Sequence, residues 1–139
     1  MSVELIREFM EDLGQRNIES LRRWFFEDSV LWMPPMDKIT GDRRILAAFR
    51  LIFRGYSDLH WSVTNIMATG GNRFVYETDS WGTIGQATPY KNHILTIIEF
   101  DAQGRIVFLS DYFKDTAIFN AEKKAAPPVS APSNLAAGQ

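Results

Sequence analysis

Apolar positions recur at helical spacing over the first third of the chain and alternate over much of the rest. Val3, Ile6, Phe9, Met10 and Leu13 share one face of a helix that Gly14 stops. Asn17 can cap a second, short helix in which Ile18, Leu21, Trp24 and Phe25 face inward. Ser29–Met33 reads as a short strand, broken into a loop by Pro34 and Pro35. Thr40 or Asp42 then caps a third helix, with Ile45, Leu46, Phe49, Ile52 and Phe53 as its apolar stripe and Gly55 as its stop. From there the pattern is that of strands: Leu59–Met67, closed by the hairpin signal Gly70-Gly71-Asn72, and then Arg73–Ile84. Tyr90–Phe100 follows a turn at Gly85–Pro89, and Arg105–Tyr112 follows the tight turn Asp101-Ala102-Gln103-Gly104. Three helices and a short strand ahead of an antiparallel meander predict an α+β fold, with the helices on one face of a curled sheet and a pocket at its open end.

The last fifteen residues contain five Ala, three Pro and two Ser and cannot build a packed face. The expected organisation is therefore one domain over 1–119 and a disordered Ala/Pro-rich tail over 120–139. A length of 139 residues with 45% apolar and 23% charged residues fits one soluble globular core. The absence of cysteine removes disulfides, thiolate nucleophiles and thiolate metal sites. A net charge of −2 gives no general attraction to nucleic acid or to anionic membrane. No apolar run reaches the ~18 residues of a membrane span, and the N-terminus lacks the core of a signal peptide. The expectation is a cytoplasmic protein. His60 and His93 stand far apart without flanking ligands, so no metal site is expected. Neither a GxGxxG nor a phosphate loop is present, so no nucleotide cofactor is expected, and there is no GxSxG nucleophile elbow. Four Trp and ten Phe suit a core wrapped around an apolar cavity.

The order of elements, together with the runs DSVLWMPP, TGDRRILAAFRLIF and EFDAQGRIVFLSDYF, resembles the nuclear transport factor 2-like superfamily. It looks most like the SnoaL-like, polyketide cyclase-like branch, and is also similar to limonene-epoxide hydrolases and ketosteroid isomerases. The resemblance covers roughly residues 3 to 119. It implies a cone-shaped half-barrel, a curved antiparallel or mixed sheet closed by three N-terminal helices. Ketosteroid isomerases place a Tyr and two Asp where this chain has Phe9, Met33 and Thr96, so that activity is not implied. Limonene-epoxide hydrolases use an Asp–Arg–Asp relay. Asp111, in the run SDYF, matches the second Asp, and Asp79 best matches the first. The Arg then falls at Glu77, and the water-holding Tyr and Asn fall at Leu31 and Met33. A shift of two residues instead sets Asp79 at the Arg position and Trp81 at the Asp position, on the same strand face.

Strand alternation puts Glu77, Asp79 and Trp81 on one face. If the last strand turns Asp111 and Phe113 inward, as the resemblance implies, Asp79 and Asp111 meet across the cone as the catalytic pair. Tyr90, Asn92, Ile94 and Thr96 would share the cavity face, and His93 would point the other way. Phe9, Trp32, Met33, Phe49, Trp61, Glu77, Trp81, Asn92, Ile94 and Phe113 are the expected ligand-contacting residues. Two carboxyls in an apolar pocket would split into an acid and a base. That arrangement suits a cofactor-free cyclase, isomerase or dehydratase acting on a small hydrophobic, polyketide- or terpenoid-like molecule. An epoxide hydrolase and a non-catalytic ligand binder are the alternatives. In the bland reading Glu77 and Asp79 lie on the wet convex face, and Asp111 only anchors the sheet. Leu95, Ile97, Phe108 and Tyr112 on that convex face lead to the expectation of a homodimer.

Overall fold

The computed structural model describes residues 2–119, and the expected tail over 120–139 lies outside the described residues. Helix α1 (Glu4–Gly14) buries Ile6, Phe9 and Leu13, one stripe of its sequence pattern. Just past its end Arg16 enters the left-handed region at φ 53°. The Arg16 guanidinium donates to the carbonyls of Phe53 and Tyr56 at 2.7 and 2.6 Å. A short helix α2 (Ile18–Leu21) is capped by Asn17, whose Oδ1 accepts from the Glu19 N–H at 2.9 Å, and runs into a 3-10 turn at Arg22–Trp24. Helix α3 (Asp42–Arg54) buries Ile45, Leu46, Ala48, Phe49 and Phe53. Arg16 thus sets a cation on the carbonyl end of α3, where the helix dipole favours it.

The strands are β1 (Val30–Trp32), β2 (Ile39–Thr40), β3 (Tyr56–Gly70), β4 (Arg73–Ile84), β5 (Thr88–Phe100) and β6 (Ile106–Phe113). They form one six-stranded sheet in the order β2-β1-β6-β5-β4-β3. β1 runs parallel to β6, and the other neighbours are antiparallel. The fold is the expected α+β half-barrel with a mixed sheet. Irregularities in the β3–β4 pairing at Tyr56/Asp58, Val63/Asn65 and Ala68/Gly70 go with the bending of the sheet. Gly82 permits one such close approach, because a Cβ there would collide with the Asp58 carbonyl of β3.

The start of α3 differs from expectation. Thr40 pairs with Val30 as part of β2, so Gly41, at φ 100°, becomes the N-cap residue and Asp42 the first helical residue. Two residues of strand are too few to leave an alternation signal, and the backbone pairing takes Thr40 out of the capping role.

The helices cover the inner sheet face, where the core gathers Ile6, Phe9, Trp24, Phe49, Tyr76 and Ile98. The outer face carries Leu95, Ile97, Phe108 and Tyr112. Tyr112 is 53% exposed and the other three are half-buried.

Candidate functional site

β4 turns Phe74, Tyr76, Thr78 and Ser80 inward, and β5 turns Tyr90, Asn92, Ile94, Thr96 and Ile98 inward. The register aligns Tyr76, Thr96 and Asp111 in one row across three strands, and Thr78, Ile94 and Phe113 in the next. Between this face and the helices lies a cavity of about 290 Å³. Leu13, Met33, Phe49, Trp61, Ile94 and Phe113 supply much of its apolar wall. Ser80, Tyr90 and Asp111 are among the polar residues that border it. Toward α1 it adjoins a chamber of about 30 Å³, bordered by Phe9, Met10, Tyr76, Thr78, Thr96 and Asp111 among others. Across the Pro34–Met36 loop a more open groove of about 410 Å³, with Trp32 and Tyr112 on its walls, also reaches Asp111. Among the described residues, Asp111 is thus the one acidic residue lining these three spaces.

The Thr96 hydroxyl donates to Asp111 Oδ1 at 2.6 Å. Burial pushes the Asp111 carboxyl up to about 6, and the Thr96 bond opposes part of that rise. A carboxyl so placed exists in both protonation states near neutral pH. Burial raises the Tyr76 phenol, helped by the charge of Asp111 and opposed by a hydrogen bond with Thr96. The Tyr76 hydroxyl meets Met10 Sδ at 3.4 Å. Burial also raises Tyr90, against hydrogen bonds with Ser80 and Asn92. Both phenols are therefore neutral groups at physiological pH.

Asp79 does not enter the cavity. Glu77, Asp79 and Trp81 all lie on the outer face of β4, with Trp81 45% exposed and stacked on His60. The expected pairing of Asp79 with Asp111 across the cone is therefore corrected, and so are the ligand contacts expected of Glu77 and Trp81. The cause is strand phase. Phe74 and Tyr76 fill the core, and period-two alternation then sends Glu77 and Asp79 outward. Trp32 is corrected too. It is 43% exposed, lines the outer groove rather than the cone, and carries Lys38 Nζ over its ring at 4.6 Å. Asn92 is buried on the inner side, but its side chain is taken up by the chain beyond β6. Its Nδ2 donates to the Asp115 carbonyl at 2.9 Å, and its Oδ1 accepts from the Asp115 N–H at 3.1 Å. Met33, Phe49, Trp61, Ile94 and Phe113 line the main cavity, and Phe9 lines the inner chamber. Thr78, Ser80 and Tyr76 were not expected there. The aromatic pair Phe74/Tyr76, in phase with both small hydroxyl residues, was the signal that could have placed them.

On the outer face His93 sits between the two displaced carboxylates, with Nε2 2.7 Å from Glu77 Oε1 and Nδ1 2.7 Å from Asp79 Oδ1. Only an imidazolium can donate through both nitrogens. The bond to Glu77 leads in raising the His93 pKa, and the bond to His93 leads in lowering that of Glu77. The contribution of His93 to stability is full below its unfolded value of about 6.5 and fades as pH rises through the higher folded value. The contribution of Glu77 is present above its unfolded value and fades as pH falls through the lower folded one. An NMR titration of the imidazole is expected to give a midpoint above 6.5, and Asp79→Asn is expected to bring it down. An unshifted midpoint in both proteins would contradict the bridged geometry.

The SnoaL-like domain family matches this sequence over residues 6–109. No curated protein matches it. Among solved structures, the chain is similar to an LEH-like epoxide hydrolase of M. tuberculosis, at 21% identity and a TM-score of 0.69, covering 86% of each chain. It is similar to a putative SnoaL-like polyketide cyclase from Jannaschia sp. CCS1, at 14% identity and a TM-score of 0.74, covering 91% of this chain and 92% of that one. An NTF2-like protein of unknown function from Burkholderia pseudomallei K96243 is similar at 19% identity and a TM-score of 0.74, over 85% of this chain and 95% of that one. These likenesses are of fold.

Proposed function

This chain belongs to the SnoaL-like domain family, and on that premise we propose that it is a cofactor-free acid–base enzyme acting on a small, largely apolar molecule of polyketide or terpenoid type. The observation that carries this reading is Asp111, a carboxyl raised to about 6 in the wall of an apolar cavity and held by Thr96. Such a group takes a proton as carboxylate and returns it as carboxylic acid without a second catalyst.

The loss of Asp79 from the cavity changes the chemistry. With one carboxyl, the same oxygen removes and delivers the proton. Asp111 takes a proton from a carbon beside a carbonyl, leaving an enolate. In an isomerisation the proton returns to another carbon of the conjugated system. In a cyclisation the enolate carbon attacks a second carbonyl of the same molecule, and the resulting alkoxide receives the proton from Asp111. Both schemes balance with one acid–base group. Opening an epoxide with water asks for an acid and a base together, and the second carboxylate lies on the far side of the sheet. The geometry therefore favours isomerase or cyclase chemistry over epoxide hydrolysis.

The test needs no knowledge of the natural substrate. Cyclic ketones and short β-polyketones are incubated with the protein in D2O, and deuterium uptake at the α-carbon is followed by mass spectrometry. Exchange faster than in buffer alone is the expected result. If ketones that bind the protein exchange no faster than free ketone, the acid–base reading fails and the cavity is a binding site only.

A further inference from the structure

The hydroxyls of the inner sheet face are engaged, with one exception. Ser80 donates to the His60 carbonyl at 3.1 Å, Thr96 donates to Asp111, and Tyr76 meets Met10 and Thr96. Thr78 is only 2% exposed, yet its hydroxyl has no hydrogen-bond partner among the described residues. Its oxygen is not sealed in the core either, because the only buried side-chain polar atom left both sealed and unpaired among them is Arg16 Nε. Thr78 borders the chamber of about 30 Å³. That is room enough for a water molecule or for the oxygen of a ligand. Leaving a hydroxyl unpaired in a core is unfavourable, so such a group beside a small space is a donor open to whatever oxygen occupies it.

We propose that this chamber seats the carbonyl oxygen of the substrate, with the Thr78 hydroxyl as its hydrogen-bond donor and the Asp111 carboxyl beside the neighbouring carbon. The inference rests on the proton-transfer reading of Asp111 and narrows the substrate to a ketone or enone with a largely apolar body. The body fills the main cavity, whose wall shares Leu13, Met33, Phe49, Trp61 and Ile94 with the chamber. The carbonyl enters the chamber end-on. As Asp111 removes the α-proton, negative charge moves to the carbonyl oxygen, where a fixed donor stabilises it. A carboxylate-bearing substrate fits poorly, because its charge would lie against that of Asp111.

The experiment compares 1-indanone with indane, two probes of nearly the same shape that differ in the carbonyl oxygen. Dissociation constants are measured by ligand-observed NMR for the wild type, Thr78→Val and Thr78→Ser. The expected result is that Thr78→Val weakens the ketone relative to the hydrocarbon by about 5–10-fold, the worth of one neutral hydrogen bond, while Thr78→Ser keeps the wild-type ratio. Thr78→Val nearly preserves shape, and a thermal melt of each variant checks its fold. A ratio unchanged in Thr78→Val overturns the proposal, as does a crystal structure with a water on Thr78 beneath bound indanone. Neither readout depends on turnover. A ketone preference without α-exchange keeps the carbonyl seat and removes the acid–base reading, and the reverse result does the opposite.

Discussion

Replacing Asp111 with asparagine is expected to lower deuterium exchange or turnover by roughly two to four orders of magnitude while raising the melting temperature at neutral pH. Asparagine preserves the shape, and its amide oxygen can still accept from Thr96, but it exchanges no proton. The stability gain follows from linkage. The Asp111 carboxyl is raised from 3.8 to about 6, so the folded state holds its proton more tightly than the unfolded state does. Stability therefore falls as pH rises between those two values, because the native state must give up a proton that the unfolded state has already lost. Above pH 6 the wild type carries a burden of about 1–3 kcal/mol that asparagine removes. Melts at pH 4 and pH 7 are the check. The variant should gain at pH 7 and show little difference at pH 4. Activity is expected to rise with pH through about 6 wherever the carboxylate form is the base. Full activity in Asp111→Asn, or equal stability of the two proteins at both pH values, would count against a half-buried catalytic carboxyl.

A group that weakens the fold and yet sits where three spaces meet is what a functional site looks like in physical terms. Asp111 was legible only through the family resemblance, in which the run SDYF matches a catalytic Asp and turns it inward; strand alternation alone did not fix the phase of the last strand. The stripes of α1 and α3 and the glycine turns were legible directly, since each is a periodic apolar face ended by a stop. β4 was harder. Val75, Glu77, Asp79 and Trp81 form one face, and Phe74, Tyr76, Thr78 and Ser80 form the other. Each face begins with apolar side chains. A search for paired carboxylates favours the first, and the buried ring of Tyr76 decides for the second. With a period of two, an error of phase moves every side chain at once. That is why Glu77, Asp79 and Trp81 were displaced together while His93, on the neighbouring strand, fell where alternation puts it. Asn92 had the right phase and still lost its role. Its amide partner is Asp115, and nothing in the sequence tells how the chain turns back after β6. The phase of Phe74 and Tyr76 could place Thr78 on the inner face, but nothing in the sequence marks a strand threonine whose hydroxyl lacks a partner.

Trp24→Ala is expected to cost about 3–5 kcal/mol, a large share of the stability of a domain this size. The residue is 1% exposed, and its ring meets Phe9 edge-on at 5.5 Å and Phe100 at 6.3 Å. Its Nε1 donates to Asp12 Oδ2 at 2.8 Å, and Arg23 both reaches the same oxygen, NH2 lying at 3.0 Å, and covers the indole at 4.2 Å. One side chain thus ties the 3-10 turn to α1 and to the end of β5. Truncation removes the buried area and leaves a void that neighbours on three elements cannot all close. Trp24→Phe keeps most of the apolar contact but gives up the indole hydrogen bond, at about 1–2 kcal/mol. Urea unfolding should therefore rank Trp24→Ala well below Trp24→Phe, with Trp81→Ala close to the wild type because Trp81 is 45% exposed. An equal loss in Trp24→Ala and Trp81→Ala would contradict this account of the core. The functional consequence runs through Phe9, which leans on Trp24 and lines the chamber beside Thr78. With the indole gone, Phe9 has space behind it and the wall of the chamber is no longer held in place. Below its own melting temperature, Trp24→Ala should therefore bind indane and indanone with less discrimination than the wild type, although it keeps Thr78 and Asp111. A stability defect and a specificity defect then have one physical origin, the loss of the wall behind the carbonyl seat.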